Sequence, residues 1–227
     1  MKLAVMLVLC GGCLTLNLHA NPCVAGSLSS YIGLGTTGCT IGTNVVSSFV
    51  DYSSGTTGAT ELPASAVSIA PSGGDTDPQL QFTVNESVDA PPLLETLFTY
   101  QISGNPYNQS QIDLSGSSET GQGAVTDIQN LCADGTFGPD GVDGCTGTPN
   151  SLLTLDGFIN TNSTPLSVLS FLTVTDDFTI DPSDAGSASG GVFTDQFTVS
   201  TTTVPEPALS VLPCALLFAL AALRKRR

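Results

Sequence analysis

Nearly every side chain in this sequence that could do acid–base or ligand chemistry is a carboxylate. From Asn21 to Val204 there is no Lys, Arg or His, while all 20 acidic residues except Glu206 fall in that stretch. The five basic residues, Lys2, Arg224, Lys225, Arg226 and Arg227, and the single histidine, His19, lie outside it. Ser–His and Cys–His nucleophile pairs, lysine nucleophiles and arginine clamps are therefore excluded from the body. A pair of carboxylates is enough for glycoside hydrolysis, and Asp176 stands next to Asp177. Adjacent residues of a strand face opposite ways, so these two cannot share a cleft. The absence of Trp also leaves a sugar cleft short of aromatic platforms. The sequence predicts no catalytic residues and no enzyme.

Calcium is the one cofactor that the acidic residues suggest, and no other is expected. Asp134, Asp140 and Asp143 lie in a Gly-rich segment, and Asp75 and Asp77 in Gly73-Gly74-Asp75-Thr76-Asp77. Oxygen ligands at alternating positions on a turn suit a hard cation, although neither segment has the Glu that closes an EF-hand loop. Aspartates in turns explain the same pattern through their backbone tolerance. The chain as a whole has a formal net charge of -15 at pH 7. Such a body repels phosphate backbones, which excludes nucleic acid as a partner. Crowded carboxylates without cations also predict raised native pKa values, so that mild acid stabilises the body.

The elements that position these residues read as strands. Leu80, Phe82 and Val84 alternate with polar residues, as do Phe98, Tyr100 and Ile102, and Ile112 and Leu114 flank Asp113. Leu166, Val168, Ser170, Leu172 and Val174 share one parity that Phe178 and Ile180 continue. Period two with Thr, Val, Phe and Ile enrichment marks half-buried strands. Gly and Pro recur too often for long helices. The expected fold is all-β, an antiparallel β-sandwich, with a jelly roll or barrel as the alternative. Asp134–Gly147 and Asp184–Gly191 read as loops. Four cysteines lie in the body, Cys23, Cys39, Cys132 and Cys145. An even number in an exported chain predicts two disulfides, and proximity favours Cys23 with Cys39 and Cys132 with Cys145.

Both ends read as targeting segments. Met1-Lys2, an apolar run from Leu3 to Leu18 and a small residue at Ala20 have the layout of a signal peptide over residues 1–20. The body occupies residues 21–200. After a polar spacer, residues 201–227 hold Pro205-Glu206-Pro207, the uncharged apolar run Ala208–Leu223 and the basic stop Arg224-Lys225-Arg226-Arg227. As a helix the run would span about 24 Å, short for a hydrocarbon core of about 30 Å. Flanking residues and snorkelling arginines make up the difference, and the basic stop stays on the cytoplasmic side.

This tripartite end closely resembles the PEP-CTERM sorting signal of Gram-negative bacteria. The resemblance implies recognition by an exosortase, a membrane-embedded cysteine transpeptidase, with cleavage near Pro205-Glu206-Pro207. It implies a precursor held transiently in the inner membrane and a mature body at the cell surface or in the extracellular polymer. The body is similar to the Cys-containing ectodomains found upstream of such signals, through Ser30-Tyr31-Ile32, Gly38-Cys39-Thr40-Ile41-Gly42, Ser48-Phe49 and the closing run Leu172-Thr173-Val174 to Asp176-Asp177. The function expected is an exported, non-catalytic structural or adhesive protein of the envelope or exopolysaccharide. The alternative is a calcium- or polysaccharide-binding module.

Overall fold

The computed structural model describes residues 20–53, 59–89, 92–168, 170–184 and 186–200. All of the expected signal peptide but Ala20, and the whole C-terminal tag with Pro205, Glu206, Pro207, its apolar run and Arg224–Arg227, lie outside the described residues. Among the described residues no helix is long and apolar enough to cross a membrane.

In chain order the strands are β1 (Gly26–Ser27), β2 (Cys39–Ile41), β3 (Asn44–Asp51), β4 (Ala59–Glu61), β5 (Val67–Ser72) and β6 (Gln79–Val84). They continue with β7 (Ser87–Asp89), β8 (Leu93–Ser103), β9 (Tyr107–Ser115), β10 (Ser118–Thr120) and β11 (Ala124–Ala133). The last are β12 (Thr148–Leu155), β13 (Thr161–Pro165), β14 (Phe171–Asp181), β15 (Ser187–Ser189) and β16 (Val192–Val199). One short helix, α1 (Leu28–Ile32), follows β1 and is capped by the Ser27 hydroxyl, which accepts from the Ser30 amide.

Two large sheets make the sandwich. The first runs β12-β11-β14-β8-β3-β2, with β4 beside β8, and the second runs β1-β5-β6-β16-β9-β13. A small third sheet, β10-β15-β7, completes the pairing. Every strand pair is antiparallel except β4 with β8.

The alternation read in the sequence is the alternation of burial. In β6, Leu80, Phe82 and Val84 point inward, and in β8 so do Phe98, Tyr100 and Ile102. Between the layers Phe82 stacks on Phe193 at 4.8 Å between ring centroids, and Phe193 on Phe178 at the same distance. Phe98 of the first sheet reaches Phe82 of the second at 5.1 Å. Each such ring, removed from water, contributes about 1.5–3 kcal/mol by area alone.

Two disulfides form, Cys23–Cys39 and Cys132–Cys145. The first ties the segment before β1 to β2. The second closes the segment 134–147, which folds over the outer face of the first sheet. There Thr173 Oγ1 donates to the Gly135 carbonyl at 2.7 Å and Thr175 Oγ1 to the Gly141 carbonyl at 2.5 Å. The close approach needs glycine at 141: its φ is +78°, and a Cβ there would sit 2.7 Å from the Tyr52 ring.

The structure departs from the sequence reading in two places. The run expected as one strand from Leu166 to Val174 starts its strand only at Phe171. Leu166 and Val168 are buried, but their amides bond to Asn108 and Tyr107 carbonyls beside β9, on the far sheet. Asp184–Gly191 is not all loop either. Ser187–Ser189 forms β15, held between β10 and β7, because Ala188 is buried in the core and Thr120 Oγ1 meets Ser187 Oγ at 2.8 Å.

Candidate functional site

Three strands carry an aspartate where their alternation calls for an apolar residue. On β11 the inward positions are Val125, Asp127, Gln129 and Leu131; on β14 they include Val174, Asp176 and Phe178; on β16 they are Phe193, Asp195, Phe197 and Val199. Strand geometry then does the assembling. Gln129 pairs directly with Asp176 across β11 and β14, with Asp127 two residues along on the same face. Asp195 faces them from the second sheet. One oxygen from each of Asp127, Asp176 and Asp195 lies within 4.8 Å of the others, and all three residues are 0% exposed.

Few donors serve this cluster. Tyr100 Oη donates to Asp195 Oδ2 at 2.5 Å. Gln129 Oε1 accepts from Ser110 Oγ at 2.8 Å, and its Nε2 lies toward Asp176 and Asp195 without a well-formed hydrogen bond. Both oxygens of Asp127, both of Asp176 and Oδ1 of Asp195 receive no hydrogen bond. Burial pushes the Asp195 carboxyl up to about 7, against the opposing pull of Tyr100, Asp176 and Gln129. Burial, followed by the Asp195 and Asp127 charges, holds Asp176 well above the usual carboxylate range. Burial and then the charges of Asp195 and Asp177 do the same to Asp127. The Tyr100 phenol is raised in its turn, first by burial and then by Asp195.

An ionised carboxylate without a partner is costly to bury, and the penalty remains several kcal/mol per ion after relaxation. Three together, in a body with no Lys, Arg or His from Asn21 to Val204, have no internal cation to pair with. What the arrangement can do is take up protons or hold a hard cation. It cannot touch a substrate, because none of its members reaches solvent.

The residues singled out in the sequence lie elsewhere. Asp134 Oδ1 accepts from the amide and hydroxyl of Ser170, both at 2.8 Å. Asp140 Oδ1 accepts from the Val142 and Asp143 amides, which hold its carboxyl below the usual range. Asp143 gives its main-chain carbonyl to the Gly138 amide. Asp75 Oδ1 accepts from the Thr43 amide and Asp77 Oδ1 from the Gly74 amide. Asp77 and Asp140 cap local turns and Asp75 and Asp134 pin distant segments, and among the described residues these aspartates form no group of three converging ligands. Asp176 and Asp177 do face opposite ways. Asp176 joins the cluster, while Asp177 lies half-buried beside Glu95 on the outer face. Sequence reasoning does not single out Asp127, Asp195, Gln129 or Tyr100 as site residues, although strand parity holds part of the signal: Asp176 sits two positions from Val174 and Phe178, and Asp195 from Phe193 and Phe197.

No protein-family model and no curated protein matches the sequence. Among solved structures the chain is similar to TmCBM61 in complex with β-1,4-galactotriose, at TM-score 0.22 and 10% identity over 52% of this chain and 69% of that one. It is also similar to a chain of the glycosylation-associated protein Gap123 complex of Streptococcus agalactiae, at TM-score 0.29 and 12% identity over 71% of this chain and 27% of that one. A third likeness is to the enzymatically active domain of tailspike protein 4 of bacteriophage CBA120, at TM-score 0.22 and 10% identity, covering 68% and 19%. At such scores none of the three bears on what the chain does.

Proposed function

We propose that this chain is an exported envelope protein whose sandwich body has a structural or adhesive role outside the cytoplasm and no catalytic one. The observation that carries the reading is the pair of disulfides, Cys23–Cys39 and Cys132–Cys145, which persist in an oxidising compartment and are rare in a reducing one. The sealing of the carboxylate cluster supports the absence of catalysis, since the acids drawn together here face no cleft. Delivery rests on the tail: Pro205-Glu206-Pro207 offers the processing site to an exosortase, Ala208–Leu223 holds the precursor in the inner membrane, and Arg224–Arg227 stops transfer. The released body would lodge at the cell surface or in exopolysaccharide, and its excess of carboxylates keeps it from nucleic acid.

The test is co-expression of the full chain with an exosortase in a Gram-negative host, followed by intact-mass measurement of the secreted and membrane fractions. The expected product starts after the signal peptide, ends near Pro207, carries no free thiol and fractionates with the surface or the polymer. A product that keeps Arg224–Arg227 and stays inside the cell overturns the reading.

A further inference from the structure

What calls for explanation in the carboxylate cluster is its location between the layers. Asp127 and Asp176 project from the inner face of the first sheet and Asp195 from that of the second, so their oxygens meet across the sandwich. The disulfides lie elsewhere: Cys132–Cys145 stays within the first sheet and its covering segment, and Cys23–Cys39 ties the lead-in to β1, an edge strand of the second sheet, to β2 at the edge of the first. Asp127 is the sharpest observation. It is 0% exposed, aimed into the other two acids, and neither of its oxygens has a donor. Gln129, equally sealed, turns its amide toward Asp176 and Asp195 and leaves Asp127 unserved. Orphaned buried polar atoms are rare in native cores, and each asks for a bound ion, a water or a proton.

The donor set points to the kind of ion. The atoms are all oxygens and mostly anionic, with neither thiolate nor imidazole, which selects a hard divalent cation over zinc or copper. Calcium–oxygen bonds of about 2.3–2.6 Å place opposite ligands about 4.6–5.2 Å apart. The three oxygens lie within 4.8 Å of one another, close enough to share one such ion. Magnesium binds at about 2.0–2.1 Å and keeps several of its waters, which a site closed to solvent does not provide. Taken as bidentate ligands, the three carboxylates reach the lower end of the about six to eight oxygens that calcium uses, with the Tyr100 phenol beside them.

We propose that Asp127, Asp176 and Asp195 bind one calcium ion between the two sheets, a cross-link between interior strands of the two layers. A sealed site loads as the strands close around the ion and empties only when they open. The ion is therefore structural, slow to exchange, and retained through dialysis. The inference stands apart from the sorting reading, because it concerns the folded body whether or not the tail is cut.

The experiment uses the full-length chain, exported with its disulfides formed and purified without chelator. Elemental analysis after dialysis against metal-free buffer is expected to find about one calcium per chain. Unfolding and refolding in chelator, then adding calcium or terbium before a second refolding, is expected to raise the melting temperature with either ion. Terbium should also luminesce under tyrosine excitation, with Tyr100 as antenna in a chain that has no Trp. Asp127→Asn and Asp195→Asn are expected to lose the metal, Tyr100→Phe to keep calcium but lose most of the terbium signal, and Asp134→Asn and Asp140→Asn to leave the metal content unchanged. If the cluster variants do not fold, metal content and the refolding pair on the unaltered chain still decide. Equal melting temperatures after refolding with calcium and with chelator, no metal in the purified chain, and an infrared band of protonated carboxyl groups would together mean that the cluster holds protons only, and would overturn the proposal. Retention of magnesium or manganese in place of calcium would overturn the identity of the ion.

Discussion

Asp177 and Asp176 are neighbours in sequence with opposite surroundings, and the outer of the two governs a measurable response to pH. Burial, then the charge of Glu95 across the β8–β14 pairing, pushes the Asp177 carboxyl up to about 6. Asp127 faces it electrostatically through β11. An unfolded aspartate titrates at about 3.9, so between that value and 6 the folded chain binds more protons than the unfolded one. Stability then rises as pH falls through this window and is reduced above it. The melting temperature in chelator is expected to climb from pH 7 to pH 5, and Glu95→Gln, which removes the nearest like charge, to make the climb shallower without abolishing it, since burial still raises Asp177 and Asp195. An unchanged slope in that variant would mean that Glu95 does not raise Asp177. The direction of this shift follows from a body without cations, and composition alone indicates it. Which aspartates are sealed does not follow from composition. Asp140 goes the other way because two amides reach it, and such local hydrogen bonding depends on turn geometry that no residue count contains.

At the scale of elements, alternation is a good guide where apolar residues hold the inward parity, and it misses β11, ten residues long, where Asp127 and Gln129 interrupt that parity. The strands β6, β8, β9 and β14 lie over the apolar runs that predict them. It was a poor guide for β15, three residues of Ser and Ala beside glycines, where tertiary contact supplies what propensity lacks. The same alternation held the metal candidates: Asp127, Asp176 and Asp195 occupy inward positions that a strict reading of parity marks as polar residues in the core. Turn aspartates drew attention instead, because oxygen-rich loops are the familiar form of a calcium site. The segment 134–147 is nevertheless important as a cover. It is pinned by Cys132–Cys145 and by the hydroxyls of Thr173 and Thr175. Replacing both cysteines by serine is expected to destabilise the body by about 3 kcal/mol, from loop entropy alone. Urea denaturation measures this, and a loss under ~1 kcal/mol would mean that the threonine bonds suffice to hold the cover.

At the scale of the molecule the two sheets are joined by rings. Phe193 is stacked between Phe82 of its own sheet and Phe178 of the other, with 0% exposure. Phe193→Ala is expected to cost about 3–5 kcal/mol, as large cavities in sealed cores do, and chemical denaturation reads it directly. The all-β sandwich was legible in the sequence, but the strand order was not, because pairing partners far apart in the chain leave no local trace. The clearest case is β16, the last described strand, which inserts between β6 and β9 in the interior of its sheet. It also brings Phe193, Phe197 and Asp195 to the core. A chain that emerges amino-end first therefore carries an open seam, with two strand edges bare and two aspartates awaiting a third, until its final segment arrives. Shortening the protein before Val192 would leave β6 and β9 with unpaired edges facing the gap that β16 fills.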